Sequence, residues 1–124
     1  MIQEAYCSFE VSILLKKKGF EGDINAYYHI WDSGDKVCSV QEFRSSEAPH
    51  LYIPAPTLQT AMKWLREKYR LHIDIDPSEG NWNPTVITLE DWSCAVKYGD
   101  NIPIQDTYEE AVEAALKYVL ENLI

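Results

Sequence analysis

The segment around Arg70 changes its hydrophobic period with no loop in between. From Leu58 to Tyr69 the apolar residues recur at helical spacing, whereas apolar and polar residues alternate in LHIDID, residues 71–76. The first pattern predicts an amphipathic helix over about 58–69, and the second predicts a strand with one buried face. Any fold of this chain must therefore bring a helix almost directly into a strand.

Capping residues predict two further helices. Ser8 is a good N-cap and Gly19 can supply a left-handed stop, so we predict a helix over 9–18. A third helix begins at Asp106 or Thr107, where a Glu three residues further on can complete a capping box, and it runs to about residue 121.

Runs of β-forming residues separated by turn residues predict the strands. The predicted strands lie at 24–31, 36–43, 51–53, 71–76, 85–90 and 92–98, and a turn-rich loop is predicted at 77–84. Because the last two strands are separated by a very short connection, the alternative is one long bent strand. The resulting order is α-β-β-(β)-α-β-β-β-α. Because hairpins dominate, we expect a single α+β domain over residues 1–124. We expect it to be a two-layer sandwich, in which an antiparallel or mixed sheet of about five strands packs against three helices.

The charge of the chain bears on its partners. It has 11 basic and 20 acidic residues, a net charge of −9. Such a field repels phosphate backbones, so we expect no nucleic-acid binding, and an acidic surface favours a basic protein partner. No basic leader precedes an apolar run at the N-terminus and no apolar run is long enough to span a bilayer, which predicts a cytoplasmic protein.

Sequence signatures of catalysis are missing. The chain contains no G-x-S-x-G, no phosphate-binding loop, no dinucleotide fingerprint and no H-E-x-x-H. Its three cysteines have no CxxC pair and no catalytic context, which disfavours a disulfide framework, a zinc knuckle and a cysteine nucleophile. We therefore expect a protein that is not an enzyme and that needs no cofactor.

The strand LHIDID is the weaker of two candidate sites. His72, Asp74 and Asp76 alternate with apolar residues and should share one face, where His and carboxylates suit zinc or manganese. If the first and fourth strands were neighbours, His29 could join them. The simpler interpretation is the solvated face of a half-buried strand.

The first strand carries the stronger candidate. Tyr27, His29 and Trp31 lie on one side, and the more apolar side is formed by Ile24, Ala26, Tyr28 and Ile30. If the apolar side meets the helices, three amphipathic rings occupy the open face, and such rings are enriched at binding surfaces. The alternative is that a loop or cross-strand partners cover this face. Two other tryptophans, Trp64 and Trp92, are expected in or at the edge of the core.

Three blocks of the sequence resemble a known family. The blocks are SFEVSILLKKKGF (8–20), APTLQTAMKWLREKYRLHIDI (55–75) and TYEEAVEAALKYVLENLI (107–124). They are similar to a family of small uncharacterised proteins from gut-anaerobe genomes and their phages and mobile elements, in which an APTxxxAxKWLRE helix leads into a strand and a TYEEAxEAAL helix closes the chain. The resemblance implies an intracellular accessory protein and transfers no catalytic residue.

Three functional hypotheses follow. The leading one is a non-enzymatic accessory protein that binds a partner protein, or a second copy of itself, through Tyr27, His29 and Trp31. The second is a binder of metal or a small molecule through His72, Asp74 and Asp76. The third is an acidic decoy that mimics nucleic acid.

Overall fold

A computed structural model describes residues 4–22, 24, 26–30, 36–40, 52–96 and 102–124. Within them the chain forms three helices and six strands. The helices are α1 (Phe9–Lys17), α2 (Leu58–Tyr69) and α3 (Tyr108–Asn122). The strands are β1 (Ala26–Ile30), β2 (Lys36–Val40), β3 (Tyr52–Pro54), β4 (Leu71–Ser78), β5 (Asn81–Thr88) and β6 (Cys94–Val96). The order of elements agrees with the predicted one, and the α+β class is confirmed.

Local chemistry explains where α1 begins and ends. The Ser8 hydroxyl accepts a hydrogen bond from the Val11 N–H, as an N-cap does. At the other end Gly19 has φ of 79°, the Phe20 N–H donates to the Leu15 carbonyl, and the Gly19 N–H donates to Lys16. These two bonds define a Schellman motif, which satisfies carbonyls that the helix leaves open.

The other two helices also begin at threonine caps. Thr57 accepts from the Thr60 N–H at the start of α2, and Thr107 accepts from the Glu110 N–H at the start of α3. Helix α2 ends at Arg70, which adopts the left-handed conformation at φ 57° and ψ 38°. Strand β4 begins at the next residue, so the abrupt change of period in the sequence corresponds to a real junction.

The six strands form two separate three-stranded antiparallel sheets. The first sheet has the order β2-β1-β3 and the second has the order β4-β5-β6. A single sheet of about five strands was expected and is not confirmed. Local periodicity marks strands but carries no information on which distant strands pair, so the partition into two sheets was not visible in the sequence.

The predicted loop over 77–84 is wrong, because this segment continues a long hairpin. Ser78 pairs with Asn81, and the two residues between them, Glu79 at φ 48° and Gly80 at φ 87°, form the tight turn. Positive φ at both central residues is typical of a type I′ turn.

The two prolines that suggested a loop fit the hairpin because of the direction of its hydrogen bonds. The backbone N–H and carbonyl of Trp82 bond to Gln105, away from β4. Pro84, two residues on, has its nitrogen on that same side, and Pro77 lies opposite Trp82. The pairing of β4 with β5 therefore needs no backbone N–H at either position, and proline is tolerated at both.

One cluster of apolar side chains joins the three helices to the second sheet. Helices α2 and α3 contact β4, α3 also contacts β5, and α1 packs on α3. Leu15, Leu65, Val86, Ile102 and Leu116 are among its most buried members. The residues that α3 buries run from Ala111 to Leu120 at helical spacing. Within the part of the chain that the structure describes, no helix has the length and apolar character that crossing a membrane requires.

Candidate protein-binding surfaces

Strand β1 presents opposite faces to helix α1 and away from it. The Tyr28 hydroxyl donates to the Cys7 carbonyl at 2.7 Å, and the Tyr28 ring packs edge-on against Phe9 with 5.5 Å between ring centroids. Ala26 is fully buried. Because side chains alternate along a strand, Tyr27 and His29 lie on the opposite face.

This opposite face, called here the Tyr27 face, is centred on the middle strand of the first sheet. Tyr27 pairs with Ser39 of β2 and Pro54 of β3, so β1 has a neighbour on each side. Tyr27 and His29 are both half-buried. Trp31, the third residue predicted for this surface, lies outside the described residues.

The structure places His29 apart from the other three residues proposed as metal ligands. His72, Asp74 and Asp76 lie on β4, an edge strand of the second sheet, whereas His29 lies in the first sheet. The first and fourth strands are therefore not neighbours, and the condition for joining His29 to His72 is not met. Among the residues that the structure describes, no group of three or more His, Cys, Asp or Glu side chains is placed to hold a metal ion.

Asp74 and Asp76 nevertheless interact. The charge of Asp74 is the main cause that raises the pKa of Asp76, with smaller contributions from desolvation and from a hydrogen bond to Asp74. Two carboxylates on one face of a strand repel each other in this way. Asn83 pairs with Asp76, and its buried Oδ1 has no hydrogen-bond partner within the described part of the chain.

Trp92 contradicts the prediction of a core or core-edge position. Its side chain is 79% exposed, and its backbone has φ of 62°, an unusual conformation for a bulky residue. Trp64, in contrast, is buried as expected. Trp92 occupies the turn between β5 and β6, called here the Trp92 turn (residues 88–93).

A network of short polar side chains fixes the Trp92 turn. Asp91 Oδ1 accepts from the Thr88 hydroxyl at 2.5 Å, from the Ser93 hydroxyl at 2.7 Å and from the Ser93 N–H at 3.1 Å. The Trp92 N–H donates to the Thr88 carbonyl at 2.8 Å. The hydrogen bonds from Thr88 and Ser93 lower the pKa of Asp91 to about 2. Thr, Asp and Ser between two strand-like runs are turn formers, and this was the signal in the sequence that could have placed Trp92 in a turn.

The two cysteines whose side chains the structure describes, Cys7 and Cys94, are both free thiols. Cys7 is buried, and its Sγ approaches the Thr57 carbonyl at 3.9 Å. Burial, followed by the nearby charge of Glu113, raises the pKa of the Cys7 thiol, which keeps it protonated and unreactive. Cys94 is exposed on β6.

Comparison of the chain with protein families, with curated proteins and with solved structures gives no match.

Proposed function

We propose that this protein is a non-enzymatic binding module that docks on a partner protein through the Tyr27 face. The observation that supports this most directly is that the two faces of β1 have different surroundings. Tyr28 and Ala26 serve the contact with α1, which places Tyr27 and His29 on the face turned away from that helix. A tyrosine and a histidine at the centre of a sheet face offer apolar area together with polar ends.

The net charge of the chain indicates that the partner has a basic surface. With a net charge of −9, the protein will associate fastest with a basic surface, and the rate will fall as salt is added. The family resemblance adds an accessory role in a phage or mobile element, acting on a host or defence protein inside the cell. That part of the proposal rests on the resemblance alone.

Trp92 supports a second contact within the same function. A tryptophan is rarely left this exposed, and here its backbone is held in a left-handed conformation by the hydrogen bonds of Asp91. Exposed, rigidly held tryptophans are frequent anchors of protein interfaces. Glu90 and Asp91 precede Trp92 in the chain and are both exposed, so the pocket that receives the ring should have a basic rim.

The test is affinity capture from a host lysate followed by binding measurements with the partner that is identified. The double variant Tyr27→Ala/Trp31→Ala should lose binding by about 30-fold or more, the scale of a central interface contact. Trp92→Ala should weaken it further. We expect both variants to retain their melting temperature, and neither Tyr27 nor Trp92 belongs to the buried cluster.

Tyr28→Phe is the matched control. It lies on the same strand but faces α1, and it loses only the hydrogen bond to the Cys7 carbonyl. We expect a lower melting temperature and unchanged partner binding. Equal capture by the wild type and by the Tyr27→Ala/Trp31→Ala variant would refute the proposed role of the face.

A second candidate function is the binding of a metal ion or small molecule at His72, Asp74 and Asp76. The raised pKa of Asp76 beside Asp74 supports it, because a cation would relieve the repulsion between the two carboxylates. Zinc or manganese at stoichiometric levels should then raise the melting temperature of the wild type and not of Asp76→Asn. An unchanged melting temperature with both metals would remove this candidate.

The third hypothesis, a decoy of nucleic acid, gains no support. In the described part of the chain the exposed acidic residues are spread over all three helices and both turns of the second sheet.

A further inference from the structure

A cavity of about 300 Å³ lies between the end of α1 and the outer side of α2. It is lined on α2 by Thr60, Lys63, Trp64 and Glu67, and on the segment after α1 by Phe20 and Glu21. The four α2 residues are spaced by three and four, so they form one stripe of the helix. The volume is at the lower end of the range for small-molecule sites, which limits the ligand to a small one.

Aromatic rings form the apolar wall of this α1–α2 cavity. The Phe20 ring meets Trp64 edge-on, with 5.4 Å between centroids and 64° between planes. Tyr69 packs on the same indole, with 5.3 Å between centroids. Lys68 Nζ lies 5.5 Å from the centroid of the Trp64 ring. The indole therefore already holds one ammonium group of the protein itself at a distance typical of cation–π contacts.

The charges at the cavity wall favour a cation. Among the residues that line the cavity, Glu21 and Glu67 contribute two carboxylates and Lys63 one ammonium group, and the ammonium group of Lys68 lies over the Trp64 ring. Lys63 Nζ is 3.9 Å from Glu67 Oε1, and the two side chains are 66% and 69% exposed, so this is a weak surface pair that a ligand can replace. An anionic ligand would be repelled by the carboxylates and by the net charge.

We propose that the α1–α2 cavity binds a small organic cation with a primary ammonium head and a short apolar chain. The ammonium group donates hydrogen bonds to the carboxylates of Glu21 and Glu67, and the chain lies against Phe20 and Trp64. This site is independent of the Tyr27 face and of the proposed partner binding.

The first test uses n-butylammonium chloride as the probe, with the assigned indole N–H signal of Trp64 followed by NMR. We expect a saturable shift with a dissociation constant on the order of millimolar, as suits a ligand of this size. Two matched probes, 1-butanol and butyrate, keep the chain but lose or reverse the charge, and neither should bind. A linear shift with butylammonium, or an equal shift with 1-butanol, would overturn the proposal.

Variants then locate the site. Glu21→Gln/Glu67→Gln should weaken butylammonium binding by about tenfold, since each loses a charge-assisted hydrogen bond. Lys63→Gln should strengthen it by about twofold, because the competing ammonium group is gone. The control Glu4→Gln/Glu109→Gln changes the net charge equally at exposed residues outside the cavity, and binding should be unchanged. Equal weakening by the control, or unchanged or weaker binding by Lys63→Gln, would show that the cavity is not the site.

Discussion

Asp91 is a fully exposed carboxyl group whose pKa is nevertheless lowered, from 3.8 to about 2. The causes are hydrogen bonds from Thr88 first and then from Ser93, which stabilise the ionised form. Because the folded-state pKa is below the ordinary one, this network contributes stability above about pH 4 and loses it as the pH falls through about 2.

We expect Thr88→Val to raise the pKa of Asp91 toward its ordinary value of 3.8, since the first and largest of these hydrogen bonds is removed. The titration of the carboxyl carbon, followed by NMR, measures it directly. Thr85→Val is the control, because Thr85 lies on the same strand and pairs with Asp74 instead. An unaltered Asp91 titration in Thr88→Val would show that the threonine hydroxyl does not hold the turn.

Glu113 is a partly buried carboxyl group whose pKa is raised, in contrast to that of Asp91. It accepts from the Ser8 N–H at 2.6 Å and from the Ser8 hydroxyl at 2.7 Å, and so ties α3 to the start of α1. Burial raises the pKa of Glu113 and outweighs the lowering by Ser8, with a further small increase from the charge of Glu10. The folded state therefore binds the proton more tightly than the unfolded state does.

This sign gives a pH dependence. The contribution of Glu113 to the free energy of unfolding is greatest below its ordinary pKa of 4.5 and declines as the pH rises through its higher folded value. The Gln side chain of Glu113→Gln cannot titrate. As the pH is lowered from about 7 to about 4, the wild type should therefore gain stability relative to this variant. Urea unfolding at several pH values measures the difference. Parallel pH profiles for wild type and Glu113→Gln would contradict the assignment.

At the scale of elements, the sequence located helices better than strand ends. Each helix is preceded by a hydroxyl residue whose side chain caps it, and Gly19 follows the C-cap of α1, so the helix boundaries are set by local chemistry that is visible in the sequence. The β4–β5 hairpin was missed because its turn is Glu-Gly, which is not among the favoured turn dipeptides, and because two prolines lie beside it. Those prolines are tolerated only through the hydrogen-bond pattern of the paired strands.

The turn itself gives a prediction at this scale. Glu79 adopts φ of 48°, where an L-residue with a Cβ is strained and Asn is tolerated better. Glu79→Asn should therefore raise the free energy of unfolding by about 0.5–1 kcal/mol, as measured by urea denaturation.

Gly80→Ala provides the counterpart to this substitution. A Cβ at Gly80 would meet nothing within 4 Å, so any effect comes from its φ of 87° alone. We expect a loss of about 1 kcal/mol. If both variants had the stability of the wild type, the turn would not be of the I′ type.

At the scale of the whole molecule, the two candidate sites differ in how well the sequence foresaw them. The alternation of side chains along β1 was enough to predict that Tyr27 and Tyr28 lie on opposite faces of the strand, because a period of two needs no tertiary information. The α1–α2 cavity was not foreseen. It brings Phe20 and Glu21 against α2 across about 40 residues of sequence, and no local pattern reports such a contact.

The two sheets are also attached to the core differently. The cluster of buried side chains includes residues of β4 and β5, such as Ile73 and Val86, together with residues of all three helices. None of its members that the structure describes comes from β1 or β3. The first sheet contacts α1 instead: β3 packs against this helix, and the Tyr28 hydroxyl donates to the carbonyl of Cys7, just before the helix.

Hydrogen exchange should therefore distinguish the sheets. The Tyr28 amide lies in the central strand of the first sheet and the Thr85 amide in the central strand of the second, so each has a strand partner. We expect Tyr28 to exchange through local opening, at a rate nearly independent of low urea concentrations. Thr85 should exchange only through global unfolding, at least tenfold more slowly and with a strong dependence on urea. Equal protection of both amides would mean that the two sheets unfold as one unit.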